Sequence, residues 1–283
     1  MTDSQPPAPD AFPEPNDTPN FAFERVAGGQ GMLMLMIHGM LSSRRQWVRN
    51  KEALATVVQP VLIDLWGHGD SPTPEDMQHF TVDGLVAAID RIRVQHGAEK
   101  IILCTQSFGA GLGFHYCLRH PERVIAHVFT NSMSAISRPA DFDATRDREK
   151  RIELIRRHGS EGLAKMPFHP QNARRLDPDV RQILVDAANA VNPEAFIRLT
   201  GYTRPTLSVW DRLADIRCPT LLVNGRWEKG FQPLRDQVAQ MLPGVQIVDL
   251  EAGHAVNLEQ GEGFNDAVLG FLKDLLPPNS ISS

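Results

Sequence analysis

A set of short apolar runs, each halted by a polar or glycine-rich turn, constrains this chain more than any other feature. Met32-Leu33-Met34-Leu35-Met36-Ile37 stops at His38-Gly39, Val61-Leu62-Ile63 at Asp64, Ile101-Ile102-Leu103-Cys104 at Thr105-Gln106-Ser107, and the run Val124 to Phe129 at Thr130-Asn131. Runs of this length without polar alternation fit strands buried on both faces, as in a parallel sheet. Helical periodicity fills the gaps, over Val82 to His96 and Ala110 to His120. The order strand, helix, strand, helix predicts an α/β fold, a mostly parallel twisted sheet flanked by helices.

The rhythm breaks near Asn131. From Pro139 to about Thr206 the chain is rich in charge and helix formers, Arg146 to His158 and Val180 to Val191 being the clearest amphipathic stretches. Pro219 to Gly225 restores the strand-and-turn pattern, followed by a helix around Leu234 to Met241, a strand over Val245 to Leu250 and a closing helix over Gly263 to Leu275. The expected organisation is a flexible tail over 1–20, core over 21–134, an inserted helical cap over 135–206 and the remaining core over 207–283. The tail assignment rests on six prolines and four acidic residues with almost no large apolar side chain.

Composition narrows the function classes. Twenty-nine Lys and Arg against thirty-four Asp and Glu leave a net charge of -5, no surplus with which to hold a polyphosphate backbone, so nucleic acid is not an expected partner. Cys104, Cys117 and Cys218 are odd in number, and neither C-x-x-C nor a zinc pattern is present, which fits a reduced interior and no metal. No secretory pattern opens the chain, and no run reaches the length of a membrane span. The expectation is a cytoplasmic protein without metal or organic cofactor, whose partners are a small-molecule substrate and, at most, a second copy of itself in a homodimer. At 283 residues it can bury about 75% of its unfolded surface, so a core needs no covalent staples.

The stretch Ile101 to Gly113, IILCTQSFGAGLG, places Ser107 between a buried strand and a helix start. A serine on such a sharp turn exposes its hydroxyl above the sheet, provided that small residues flank it at two before and two after. Gly109 meets that need and Thr105 meets it poorly; the competing reading of Ser107 is an ordinary helix cap. Leu35 to Met40 runs a strand straight into His-Gly, a turn that can offer the Met40 amide to a developing oxyanion, with the Phe108 amide as second donor. Asp64, Gly67 and Gly69 are read as shaping a tight loop and His68 as scaffold. His254 falls in a loop after the last strand, at the edge where Ser107 also sits, and can exchange the serine's proton. Glu228 is the carboxylate of the loop after the preceding strand, placed to orient that imidazole or else to pair on the surface with Lys229 or Arg226. Asn131 and Ser132 occupy the other common acid location but carry no charge.

Taken together, LMIHGM, DLWGHGDS, TQSFGAG, HPERV, CPTLLVNG and AGHAVNLEQ make the chain resemble the α/β-hydrolase superfamily over about residues 21 to 276. The resemblance implies Ser107 as nucleophile, His254 as general base, Glu228 as acid, and the Met40 and Phe108 amides as oxyanion hole. Thr105 stands where a smaller residue is usual, and Glu228 where Asp is commoner. The layout is similar to enol-lactone hydrolases, small-molecule esterases and carbon-carbon bond hydrolases, while the serine argues against relatives that use Asp as nucleophile. The expected activity is hydrolysis of a carboxylic ester or lactone through an acyl-enzyme. The alternatives are carbon-carbon cleavage of a vinylogous diketone, and a ligand-binding receptor with slow turnover. Phe168 and Phe196 in the cap, Trp227 beside the acid and Arg44 after the oxyanion turn are candidate substrate contacts, Arg44 for a substrate carboxylate.

Overall fold

The computed structural model describes residues 19–138 and 145–276; the tail expected over 1–20 lies almost wholly outside them. Its centre is a seven-stranded sheet of order β1-β3-β2-β4-β5-β6-β7. The strands are β1 (Phe23–Arg25), β2 (Leu33–Ile37), β3 (Gln59–Ile63), β4 (Ile101–Thr105), β5 (Val124–Thr130), β6 (Thr220–Gly225) and β7 (Gln246–Leu250). All pairings are parallel except β1 with β3. Every residue of β2, β3 and β4 is buried, which is why these strands read as unbroken apolar runs. The sequence reading missed β1, an antiparallel edge strand of three residues.

Helices Val82–Gln95 and Phe108–Arg119 pack on one face of the sheet, and Gly261–Lys273 on the other. Asp90 ties the first two together, accepting hydrogen bonds from Arg93 at 2.6 Å, from the Tyr116 hydroxyl at 2.6 Å and from Arg123 at 2.8 Å. Burial alone would raise the Asp90 pKa, but these donors and the two guanidinium charges overrule it and hold it at about 2. Cys117, near the end of the second helix, brings its sulfur within 3.6 Å of Cys218, a proximity that their spacing did not announce; all three cysteines are free thiols.

Between β5 and β6 the described chain is helical: Thr145–His158, Ser160–Ala164, Pro178–Asn189 and Pro193–Arg198 follow one another. This segment has an apolar centre of its own, where Ile155, Leu163, Met166, Val191 and Phe196 pack with Leu41. Its end is fastened to the core, since Asn192 donates to the Gly67 carbonyl at 2.8 Å and the Thr203 hydroxyl to that of Phe80. Among the described residues no helix is long and apolar enough to cross a membrane.

The parallel strands point their carboxyl ends the same way. His38-Gly39-Met40 after β2, Ser107 after β4, Asn131 after β5, Glu228 after β6 and His254 after β7 therefore gather at one edge, where sheets of this kind bind ligands.

Candidate active site

Ser107 joins β4 to helix Phe108–Arg119 with φ 51 and ψ −113. With Leu41 (φ 52) it is one of two non-glycine residues at positive φ among the described residues, and both line the same cavity. Side chains avoid this backbone region at a cost of about 1–3 kcal/mol, so the surrounding packing must impose it. Gly109 shows how: a Cβ there would lie 2.6 Å from the Ile37 carbonyl oxygen and 2.8 Å from that of His38, so only glycine lets the helix start against β2. The residue holds the N-cap position, but its hydroxyl caps nothing. It lies instead 2.9 Å from His254 Nε2. The hydroxyl is therefore turned to the histidine loop and not to the helix end.

Thr105 is accommodated rather than merely tolerated. Its hydroxyl lies 2.8 Å from His127 Nε2 and 3.2 Å from the Val128 carbonyl oxygen, and Gly113 opens the space, since a Cβ there would come within 2.5 Å of the same imidazole. Burial pushes His127 down to about 3, so this ring is a neutral packing element.

On its other side, His254 places Nδ1 3.0 and 3.1 Å from the two carboxylate oxygens of Glu228. The Asn131 side chain holds that carboxylate from beneath: its amide nitrogen donates to Glu228 Oε2 at 2.9 Å and to the Gly225 carbonyl at 3.0 Å, and its amide oxygen accepts from Gly225 N–H at 3.0 Å. Asn131 thus enters the site as a support for the Glu228 carboxylate, a contact that its place after β5 hinted at but did not define. Arg226, the alternative surface partner, pairs with Glu251 instead at 2.7 Å.

The electrostatics follow from these contacts. Burial by itself would raise the Glu228 pKa, but the hydrogen bond and charge of His254, together with Asn131, leave it below the usual value. For His254, desolvation pulls the pKa down, while the hydrogen bond and charge of Glu228, with a contribution from Glu259, carry it above the usual value. Protein crowds the imidazole, yet 46% of its side chain remains open to the cavity.

That cavity measures about 490 Å³ and is walled by both the core and the inserted helices. Met40 and Phe108 line it, and neither of their backbone N–H groups has a hydrogen-bond partner among the described residues. Phe168 and Phe196 also line it, their rings stacked with centroids 6.4 Å apart. Ser107, His254, Glu228, Met40, Phe108, Phe168 and Phe196 thus share one space.

Arg44 and Trp227 do not line this cavity. Arg44 is held by acids: its backbone N–H and guanidinium both bond to the buried Asp64 carboxylate at 2.7 Å, and the guanidinium also reaches Asp70. Asp64 in turn accepts from the Asp70 N–H at 3.0 Å, which makes Arg44 a brace of the loop after β3. Trp227 is 43% exposed, donates its indole N–H to Glu251 at 2.7 Å and lies under the Arg175 guanidinium. His68 is buried, bonded to the Trp66 carbonyl oxygen at 3.0 Å and pushed by burial to about 3, in keeping with a scaffold role. Three guanidiniums that the sequence reading passed over, Arg151, Arg175 and Arg204, do line the cavity. Among the described residues there is no cluster of His, Cys, Asp or Glu suited to a metal ion.

A hydroxyl bonded to an imidazole whose far nitrogen meets a carboxylate is an arrangement suited to nucleophilic attack. A family model described as the alpha/beta hydrolase fold matches residues 33–152. In sequence the chain is 26% identical over 250 residues to the "Putative 2-succinyl-6-hydroxy-2,4-cyclohexadiene-1-carboxylate synthase" of Bacillus subtilis (strain 168), covering 86% of this chain and 90% of that one. It is 25% identical over 243 residues to carboxylesterase YbfK of the same organism, covering 84% and 79%. Among solved structures, a thermophilic esterase from Thermogutta terrifontis superposes with a TM-score of 0.75 at 22% identity, over 90% of this chain and 93% of that one.

Proposed function

The chain belongs to the α/β-hydrolase superfamily, and on that premise we propose that it hydrolyses a carboxylic ester or lactone of a small molecule through an acyl-enzyme on Ser107. The observation that carries this reading is the hydrogen-bonded line Ser107–His254–Glu228 opening onto the cavity between core and inserted helices. Relationship to a carboxylesterase supports it. As Ser107 Oγ attacks the carbonyl carbon, His254 Nε2 takes its proton; Glu228 accepts the Nδ1 hydrogen bond and stabilises the imidazolium. The Met40 and Phe108 N–H groups receive the oxyanion. His254 then returns the proton to the departing alkoxide, and a water, deprotonated by the same imidazole, cleaves the acyl-serine. Residues 135–206 act as the cap that shapes the acyl pocket.

A second reading, cleavage of a carbon-carbon bond in a vinylogous diketone by the same three residues, draws on the Bacillus relative, whose name is that of a synthase. A panel of esters, lactones and diketones separates the two. A fluorophosphonate probe should label Ser107 alone, and Ser107→Ala should lower ester turnover by roughly 10^4-fold. Label on a different serine, or turnover that survives the substitution, overturns the proposal. Tight binding of a small molecule without Ser107-dependent turnover of any panel member points to a receptor instead.

A further inference from the structure

Leu41, the other non-glycine residue at positive φ, directly follows Met40 in the turn after β2. A bulky side chain is a rare occupant of that backbone region, so something outside the turn must hold it there. The seat of the side chain supplies the force. Leu41 is 1% exposed, and the other buried members of the apolar centre it joins, among the described residues, all come from the insertion, between Ile155 and Ile197. A core loop thus sends one leucine into the middle of the inserted helices. Burying a leucine stabilises by an amount of the same order as the backbone strain, so this seat can impose the conformation. Met40, one residue earlier, packs against both the core and this centre, and its N–H has no hydrogen-bond partner among the described residues. Gly39, before it, is pressed on the serine's own turn: a Cβ there would lie 2.2 Å from Gln106 Oε1 and 3.0 Å from Ser107 Cβ. Beyond Leu41 the chain is fastened again, the Ser42 hydroxyl donating to Gln46 Oε1 at 2.8 Å and Gln46 Nε2 to Asn257 Oδ1 at 3.1 Å.

We propose that Leu41 is a positioning residue for the reaction at Ser107: seated among the inserted helices, its side chain holds the turn in which the Met40 N–H receives the oxyanion, so that transition-state stabilisation depends on how the insertion is packed. The inference rests on the hydrolase reading of the same cavity. Leu41 itself donates no hydrogen bond and moves no proton. Its effect belongs to the transition state, because the oxyanion exists only while the attacked carbon is tetrahedral. A loosened seat therefore costs turnover more than substrate binding. Since Leu41 also lines the cavity, the decisive comparison includes a residue of the seat that does not line it, Leu163, likewise 1% exposed in the same apolar centre.

The test follows p-nitrophenyl butyrate hydrolysis by Leu41→Ala, Leu41→Gly, Leu41→Met and Leu163→Ala, with kcat counted per serine labelled to completion by a fluorophosphonate probe, so that misfolded protein drops out. Leu41→Ala and Leu41→Gly should lower kcat about ten- to a hundredfold, short of the loss on removing a donor outright, with KM kept within about threefold. Leu41→Met, which refills the seat, should recover most of kcat. Leu163→Ala should lower kcat in the same sense, by about threefold or more. Affinity for an alkyl trifluoromethyl ketone, which forms a tetrahedral adduct with the serine, should fall in parallel with kcat/KM across the four variants. Unchanged kcat per labelled site in Leu41→Ala and Leu41→Gly, or a loss carried by KM alone, overturns the inference and leaves the hydrolase reading intact; so does a native kcat in Leu163→Ala. If Leu41→Ala and Leu41→Gly do not fold, Leu163→Ala decides, its turnover and ketone affinity falling together or the inference failing. A wild-type protein without Ser107-dependent turnover overturns the hydrolase reading and this inference with it.

Discussion

A serine forced to φ 51 holds its hydroxyl out over the sheet edge at the expense of its own backbone comfort. The cost can be tested by removing it. Ser107→Gly, free to adopt positive φ, should be more stable than Ser107→Ala by about 1 kcal/mol, both variants being inactive, in parallel thermal or urea unfolding. Equal stability would mean that the turn is unstrained. The imidazole offers a second test, in pH. Because Glu228 raises the His254 pKa, and His254 must be neutral to accept the serine's proton, the rise of kcat/KM with pH should centre above the usual histidine value. Glu228→Gln removes the raising partner, so the acid limb should move to lower pH while the maximum falls. A limb that stays in place would show that another group sets it.

At the scale of elements, the tie between helix Val82–Gln95 and helix Phe108–Arg119 predicts a pH-dependent stability. Asp90 has a folded-state pKa depressed to about 2, so its contribution is fully present above the unfolded carboxylate value and is lost as pH falls towards 2. Asp90→Asn should destabilise by about 2 kcal/mol at pH 7, and urea titrations should show the gap to wild type closing between pH 5 and pH 2. A gap that does not change with pH would assign the loss to packing. The elements themselves differed in legibility for a physical reason. Strands β2 to β6 announced themselves because burial on both faces demands continuous apolar residues, whereas Phe23–Arg25 is three residues on an edge and imposes no pattern beyond its pairing with β3. Likewise, Ser107, His254 and Glu228 could be placed from their positions after strands, because the ends of parallel strands converge whatever the intervening sequence. Arg44 and Trp227 were misplaced because a position in a loop fixes the backbone but not the direction of the side chain, and each found an acidic partner outside the cavity. Arg151 was invisible for a related reason, since an arginine on a strongly charged helix looks like any solvated face.

A sheet and a helical insertion together wall the cavity, and two aromatic residues of that insertion, Phe196 and Phe168, divide the labour between packing and contact. Phe196 is 2% exposed within the insertion's own apolar centre, whereas Phe168 is 45% exposed at the cavity. Phe196→Ala should therefore cost about 3–5 kcal/mol of stability, visible as a lowered melting temperature. Phe168→Ala should leave melting nearly in place and instead shift the preferred acyl length in a p-nitrophenyl ester series. If both variants melt alike and change kcat/KM evenly across the series, the insertion packs the fold without selecting substrate. The seam between β5 and β6 has a different consequence. Asn131 and Glu228 stand on neighbouring strand ends with their side chains joined, so two addresses for a single negative charge lie within one hydrogen bond of each other. A lineage could pass through Asn131→Asp and then lose Glu228, moving the charge one strand over by two single-codon changes without rebuilding the backbone. The negative charge in this chain thus belongs to the seam between the two strand ends, within reach of either.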